Sequence, residues 1–441
     1  MKSNLKSPVY VQVEITSNCN NECLHCYNFW NYGTEIRRNN LSIADWQKIA
    51  KILGDNEIFY VTITGGEPFL EKEKTYSFID SLIEQNVRVM INSNATLITK
   101  NDAKKISEYP IESFLTSLLS ADEKLHNRIA SSKSAFQQTT NGISLLTKNG
   151  VNLAVNMVAL KLNYRDIYRT GKWLHDEFGL KNFSATPVCP SANKHKNLEL
   201  SHEEIFEVLN QLVSLRQDFG MNIDVLEALP KCFFIDYAGT NSSEIIKTFS
   251  KRMCTAGNTT ITIGSEGDMR ACSFDHQSHG NVLKEDFRLI WNNMGMWRNN
   301  SFLPKECVSC FVSENCSGGC RVNSKVKKGN YCEPDYLSKN IIKEEQAVFF
   351  EEKLPNVSMT SKMSLVPNIR FRQEKESIFL VIADSMRFII TNEKGLKVIK
   401  CLSELKYFIP KNVAVRFNLD YEFSREFFKE LFSKGFLVYS E

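Results

Sequence analysis

The feature that most constrains this chain is a short cysteine loop. Residues 16–27 read TSNCNNECLHCY and space Cys19, Cys23 and Cys26 as C-x3-C-x2-C, directly after the strand-like apolar run 9–15. Three thiolates on one loop can share an iron–sulfur cube, whereas a structural zinc site or an ordinary cubane wants a fourth protein ligand nearby. No fourth cysteine follows. One coordination position is therefore left to a small molecule, and an open position is what separates a catalytic metal site from a structural one. The alternative is half of a zinc site, completed by His25 or a distant cysteine.

A second stretch, 59–70, reads FYVTITGGEPFL, an apolar strand that ends in Gly65-Gly66-Glu67-Pro68. Together with the cysteine loop one strand earlier, it resembles the radical S-adenosylmethionine (radical SAM) family. The resemblance implies that Cys19, Cys23 and Cys26 hold a [4Fe–4S] cluster and that the Gly65–Pro68 strand end holds the amino group of S-adenosylmethionine. The residue types suit this: glycines allow close backbone approach, Glu67 offers a carboxylate to an ammonium, and Pro68 fixes the turn. One departure is His25, where the family usually carries an aromatic residue.

At 441 residues the chain has room for about three domains, each with its own core. A formal net charge of +3 is too small to argue for a nucleic-acid footprint. The N-terminus has no continuous apolar segment of the secretory kind, and no later run approaches the length needed to span a bilayer, so the reading is a cytoplasmic protein with neither a membrane nor a nucleic-acid partner. Thirteen cysteines in a chain without an export signal suggest metal ligands in a reducing compartment rather than a disulfide framework.

Apolar runs at 9–15, 58–63, 87–91, 113–118, 151–158 and 183–188 read as strands, and amphipathic runs at 43–53, 76–84, 100–107, 136–148 and 164–178 as helices between them. Such alternation makes an α/β fold with a mostly parallel sheet, whose site lies at the carboxyl ends of the strands. The family resemblance implies a partial (β/α)6 barrel, placed here at residues 1–235. At two further strand ends, Asn94 and Ser117 offer the amide and hydroxyl that a ribose or adenine edge needs, against the plainer role of forming turns. Both are assigned to S-adenosylmethionine. Asp122, Glu123, His126 and Arg128 read as a solvated helix start without chemistry, and 201–220 as a connecting helix.

Cysteines then return: Cys254, followed by Gly267 and Cys272, then Cys307-x2-Cys310-x5-Cys316-x3-Cys320, and finally Cys332. The order, with Gly280-Asn281 and Ile290-Trp291 between the groups, resembles the SPASM extension of radical SAM enzymes; the alternative is two zinc knuckles. The resemblance, placed at 236–350, implies two auxiliary [4Fe–4S] clusters, three clusters in all. Cys254, Cys272 and Cys320 would hold the nearer auxiliary cluster, and Cys307, Cys310, Cys316 and Cys332 the farther one. Seven cysteines cannot fill eight places. The near cluster then keeps an open iron, our preferred reading, or recruits a backbone group, Cys189 or Cys232. Cys401 reads as a small apolar residue on a buried helix face.

The remaining segment, taken as a module over 365–441, reads as a hairpin of strands 377–383 and 386–391 turning at Asp384-Ser385, then helices 396–405 and 423–432 and a strand-like tail from Gly435. A small winged-helix-like α+β fold is the expectation. It resembles the peptide-chaperone (PqqD-like) domain of pyrroloquinoline quinone biosynthesis, which recurs as the leader-recognition element of ribosomal-peptide maturases. An open sheet edge beside a helix can take an extended peptide as an added strand. The competing expectation is DNA binding by a winged helix.

These resemblances imply an enzyme that takes hydrogen from a side chain of a precursor peptide with a 5′-deoxyadenosyl radical and forms an intramolecular carbon–carbon, ether or thioether crosslink, with a reductant such as flavodoxin or ferredoxin as electron source. Anaerobic sulfatase maturation is a rival, but that group carries an acidic residue where Ser273 stands and an extra cysteine near Thr260. Peptide epimerisation and an iron–sulfur winged-helix regulator are two more rivals.

Overall fold

The computed structural model describes residues 5–28, 40–189, 196–235, 237, 239, 241–350, 356–383 and 387–440. The chain divides into two compact units, Met1–Phe350 and Glu351–Glu441.

In the first unit, strands rich in Val, Ile and Thr alternate with helices that begin at polar caps. The order is β1 (Tyr10–Glu14), α1 (Ile43–Asp55), β2 (Tyr60–Thr64), α2 (Lys72–Glu84), β3 (Arg88–Asn92), α3 (Lys100–Glu108), β4 (Ile111–Ser117), α4 (Glu123–Ala130), α5 (Ala135–Lys148), β5 (Leu153–Ala159), α6 (Ile167–Phe178), β6 (Asn182–Pro187), α7 (His202–Phe219) and β7 (Asn222–Asp224). There follow α8 (Ser242–Phe249), β8 (Thr260–Ile263), β9 (Asp268–Arg270), β10 (Ser278–Asn281), α9 (Phe287–Asn293), α10 (Arg321–Lys328) and α11 (Glu344–Ala347). Reciprocal capping boxes fix the starts of α1 (Ser42 with Asp45), α3 (Thr99 with Asp102) and α7 (Ser201 with Glu204). Val11, Val13, Val61, Ile63, Val89 and Ile91 are buried, as in a parallel sheet covered on both faces.

The ten strands form one sheet in the order β10-β9-β8-β1-β2-β3-β4-β5-β6-β7. Strands β8 and β1 to β7 run parallel, and β9 and β10 turn back antiparallel at the β8 end. All six expected strands form. The expected division at 235/236, however, falls inside the unit. Strand β8, from the cysteine-rich segment, pairs with β1 from Tyr10↔Thr260 to Val13↔Ile263 and so covers what would otherwise be an exposed edge. A short apolar run far along the chain gives no sign of this partner.

One buried ion pair reinforces that seam. Arg270 on β9 pairs with Glu14 on β1, both with fully buried side chains, and Asp268 lies 3.0 Å from the same guanidinium. Arg270 also donates to the carbonyls of Ser273 (3.3 Å) and Asp275 (3.1 Å), the turn that follows Cys272.

The second unit has its own core, including Met363, Val381, Ile399, Phe428 and Leu437. It comprises β11 (Met363–Leu365), β12 (Arg370–Lys375), β13 (Ile378–Ile382), β14 (Phe388–Asn392), α12 (Glu393–Ser403), α13 (Pro410–Arg416), α14 (Tyr421–Ser433) and β15 (Leu437–Tyr439). The anticipated hairpin is β13–β14, but it belongs to a three-stranded antiparallel sheet with β12, while β11 pairs with β15. The module therefore starts before residue 365, because β15 needs β11. The hairpin turn at Asp384-Ser385 lies outside the described residues. Cys401 is half-buried on α12.

Removing one partner of a buried ion pair typically costs about 3–5 kcal/mol, because the other charge stays uncompensated. Glu14→Gln and Arg270→Met should each lower the unfolding free energy by roughly that amount in denaturant titrations. A loss under about 1 kcal/mol in both variants would mean that the β1–β8 ladder alone holds the seam.

Candidate functional site: a cavity between two cysteine groups

The cysteine loop is laid over the carboxyl end of β2. The amide of Gly66 donates to Thr16 O (2.7 Å) and that of Glu67 to Asn18 O (2.7 Å), while Ile15 N–H reaches Thr64 O (3.0 Å). The two glycines make this approach possible. A Cβ on Gly65, whose φ is +135°, would stand 2.4 Å from Thr16 O, and one on Gly66 would stand 1.9 Å from Asn18 O. The motif alone assigns these glycines to the ligand; their tightest neighbour is the backbone of the cysteine loop itself. Further ties run from Asn28 to Gly65 O (2.8 Å), Asn20 to Thr96 (2.8 Å), Asn94 to Asn20 (2.9 Å) and Leu24 N–H to Ile129 O (2.9 Å).

Glu67 lies at the centre of these strand ends and is 1% exposed. Its Oε1 accepts from Phe69 N–H (2.9 Å) and Ser93 Oγ (2.7 Å), and its Oε2 accepts from Asn94 N–H (2.8 Å). Three of about four acceptor positions on the carboxylate are thus filled, and one remains on Oε2. Burial pushes the carboxyl above its ordinary range, against the pull of these hydrogen bonds. Pro68 opens the short 3-10 turn beside it.

A cavity of about 440 Å³ opens at these strand ends. Its lining includes Cys19, Cys23 and Cys26 with Gly65, Gly66, Asn94 and Ser117, and also Cys254, Cys272 and Cys320. Glu67 and Pro68 are not on its wall. The structure therefore gathers the first cysteine trio, two of the four strand-end residues, both polar candidates and the second trio around one space. Burial pushes the Cys19 thiol up to about 11, with Glu67 and Cys26 adding to the effect, and it carries Cys272 and Cys320 well above the usual thiol range. Such buried thiols need a compensating cation to ionise. Among the described residues no three His, Cys, Asp or Glu side chains are arranged around a single metal ion. The six thiols of the two trios that line this cavity are a donor set of the soft kind that an iron–sulfur group takes.

A second cavity, of about 260 Å³, is lined by Cys307, Cys310 and Cys316 and by Cys232. Cys332, expected as the fourth member of this set, is absent from its wall. Its thiol donates to Ser301 O at 3.3 Å, and Arg321 donates to the carbonyls on either side, Tyr331 O (3.1 Å) and Glu333 O (3.0 Å).

Several residues of the central cavity lie outside the motifs of the sequence. His126 is not part of a solvated helix start: it is buried on the wall, Leu119 N–H donates to its Nδ1 (3.1 Å), and burial pushes it down to about 4, so the neutral ring carries its proton on Nε2. Asp122 does cap α4, accepting from Leu125 N–H at 2.8 Å. Asn156, a polar residue in the apolar strand β5, accepts from Ser184 and Thr186, each at 2.9 Å; here the interruption of an apolar run was a usable sign. Cys189 and Glu227 also face the cavity, the latter pushed up to about 8 by burial and by Asp335. Neither stands in a spacing that marks it.

Residues 13–174 match the model of the Radical SAM superfamily. Over 339 residues the chain is 22% identical to an AdoMet-dependent heme synthase of Methanosarcina barkeri, covering 75% of this chain and 95% of that protein. It is 25% identical over 350 residues to the antilisterial bacteriocin subtilosin biosynthesis protein AlbA of Bacillus subtilis, covering 74% and 70%. In fold it is similar to Streptococcus suis SuiB, solved with S-adenosylmethionine and with its precursor peptide SuiA, at a TM-score of 0.61 and 20% identity, over 76% of this chain and 78% and 77% of those chains. Among the described residues no helix is long and apolar enough to cross a membrane.

Glu67→Gln turns one acceptor oxygen into a donor that must face either Asn94 N–H or the Phe69 and Ser93 donors. S-adenosylmethionine affinity should fall by roughly 1.5–3 kcal/mol, the worth of a hydrogen bond to a charged group, and stability should fall with it. Equilibrium dialysis checks the first and thermal melting the second. Lost stability with unchanged affinity would make Glu67 a strand tie alone.

Proposed function

We propose that this chain, whose residues 13–174 form a radical SAM domain, post-translationally modifies a ribosomally made precursor peptide by joining two of its side chains into an intramolecular carbon–carbon, ether or thioether crosslink. The observation that carries the reading is the single cavity lined by both Cys19, Cys23 and Cys26 and Cys254, Cys272 and Cys320. A hydrogen atom removed from one side chain leaves a carbon radical; closing a bond from it to a partner X–H breaks that X–H bond and releases one proton, to solvent, and one electron, which a redox group held by the second cysteine trio would accept.

In this reading Cys19, Cys23 and Cys26 would hold a [4Fe–4S] cluster and Gly65, Gly66, Asn94 and Ser117 would border bound S-adenosylmethionine, while Glu67, which is off that wall and holds Asn94 N–H with Oε2, keeps one acceptor position that is assigned to the ammonium. Reduced in that position, S-adenosylmethionine supplies a radical able to take hydrogen from an unactivated C–H bond. The chain's own contribution is placement. The Gly66–Thr16 and Glu67–Asn18 bonds fix the cysteine loop over β2, and Tyr27 packs on Phe274 with ring centroids 4.7 Å apart, joining the residue after Cys26 to the turn after Cys272. A low-dielectric wall of Leu115, Leu119, Val158 and Val188 keeps water from a reactive carbon centre.

The second unit is the proposed leader-binding module. Strand β14 ends the three-stranded sheet and pairs only with β13 among the described residues, so its outer edge can accept an extended peptide as a further strand; Ile390 on it is 41% exposed. The similarity to AlbA, named for bacteriocin biosynthesis, and to SuiB, solved with a precursor peptide, supports a peptide substrate. The similarity to a heme synthase favours a porphyrin as the competing substrate.

Truncation after Phe350 separates these readings and spares the β11–β15 pair from being split. Uncoupled cleavage of S-adenosylmethionine should persist, while the precursor concentration needed for modification should rise by roughly a hundredfold, the effect of losing a tethered second site. A truncated enzyme that processes precursor unchanged would overturn the role of the second unit, and turnover of a porphyrin but no peptide would overturn the substrate class.

A further inference from the structure

The second cavity holds four thiols, and one of them comes from an unexpected place. Cys232 lies 75 residues before Cys307, on the short helical turn Lys231–Phe234 that follows Pro230. That turn is anchored. Phe233 and Phe234 are fully buried, and Phe233 stacks on Phe206 of α7 with centroids 4.4 Å apart and planes 6° from parallel. Cys232 is thus carried on a fixed piece of backbone at the cavity wall, beside Cys307, Cys310 and Cys316.

Backbone amides already point at these sulfurs. Lys339 N–H donates to Cys232 Sγ (3.2 Å), Lys231 N–H to Cys316 Sγ (3.3 Å) and Ile342 N–H to Cys310 Sγ (3.4 Å). Amide-to-sulfur bonds of this kind orient thiolate ligands and set the potential of the iron they hold. They also interlock the set, because the residue before Cys232 serves Cys316 while the 339–342 segment serves Cys232 and Cys310. Cys332 has no share in this network. Its neighbours Tyr331 and Glu333 are fastened through Arg321, itself 4% exposed, and the Tyr331 ring packs between Trp297 (5.2 Å) and Phe302 (4.8 Å).

We propose that Cys232, with Cys307, Cys310 and Cys316, supplies the four protein ligands of the outer iron–sulfur cluster, and that Cys332 is not a ligand. The assignment rests on the proposed cluster-bearing function and replaces the Cys332 ligation that the cysteine spacing suggested.

Iron and acid-labile sulfide, counted on the anaerobically reconstituted full chain together with electron paramagnetic resonance of the reduced protein, test it without any turnover. Wild type should carry three clusters, about twelve irons. Cys232→Ala should lose about one third of the iron and sulfide and one resonance component, whereas Cys332→Ala should keep the full complement. Cys232→Ser guards against simple misfolding: an oxygen ligand should keep the cluster with a shifted resonance. Loss of iron in Cys332→Ala, or full retention with an unshifted spectrum in both Cys232 variants, overturns the assignment. A wild-type count of about four irons overturns the proposed function along with it, and so tells the two failures apart.

Discussion

The Glu14–Arg270 pair is the contact on which the cavity depends. Glu14 ends β1, one residue before the chain enters the segment that carries Cys19, and Arg270 ends β9, two residues before Cys272. A charge with no water around it is stable only when its partner stays in place, so the pair fixes where two distant cysteine segments stand relative to one another. The same guanidinium holds the Ser273 and Asp275 carbonyls, and the Tyr27–Phe274 contact closes the gap from the other side. Glycine does the complementary work at β2, where any side chain on Gly66 would collide with Asn18 O and lift the cysteine loop off the strand end. Electrostatics holds the segment of Cys272, and close backbone packing holds the loop of Cys19, Cys23 and Cys26.

What the sequence made legible was local. The C-x3-C-x2-C loop, the GGEP strand end and the order of strands and helices depend on neighbours within a few residues, and each of those segments stands in the fold where its pattern placed it. What it hid was long-range. Cys232 has no spacing relation to Cys307, and only folding of the Lys231–Phe234 turn against α7 brings it to the others. Cys332 fits a spacing pattern yet is not among the residues lining the second cavity, and the Arg321 contacts to the carbonyls of its neighbours Tyr331 and Glu333 cannot be inferred from position in the chain. His126 shows a third kind of miss: its polar neighbours suggest solvent, but α4 turns the ring inward beneath Leu119. The β8–β1 pairing, which joins the cysteine-rich segment to the sheet, is illegible for the same reason as Cys232.

Two chemical environments are built from these parts. The central cavity mixes buried thiols with amides and hydroxyls, including the Asn156–Ser184–Thr186 cluster, and suits a polar cofactor beside an apolar reacting group. The second cavity is small, and its thiols receive backbone amides, which suits a redox group that is held rather than reached by substrate. The C-terminal unit, with its own core and an open strand edge, has none of the clustered cysteines.

The central claim is that the loop of Cys19, Cys23 and Cys26 is where S-adenosylmethionine is reductively cleaved. The most direct test replaces all three with alanine and measures 5′-deoxyadenosine formed with dithionite, alongside the iron count. The account predicts no deoxyadenosine, with about two thirds of the iron retained in the remaining cysteine groups. Deoxyadenosine at the wild-type level in that variant would contradict it.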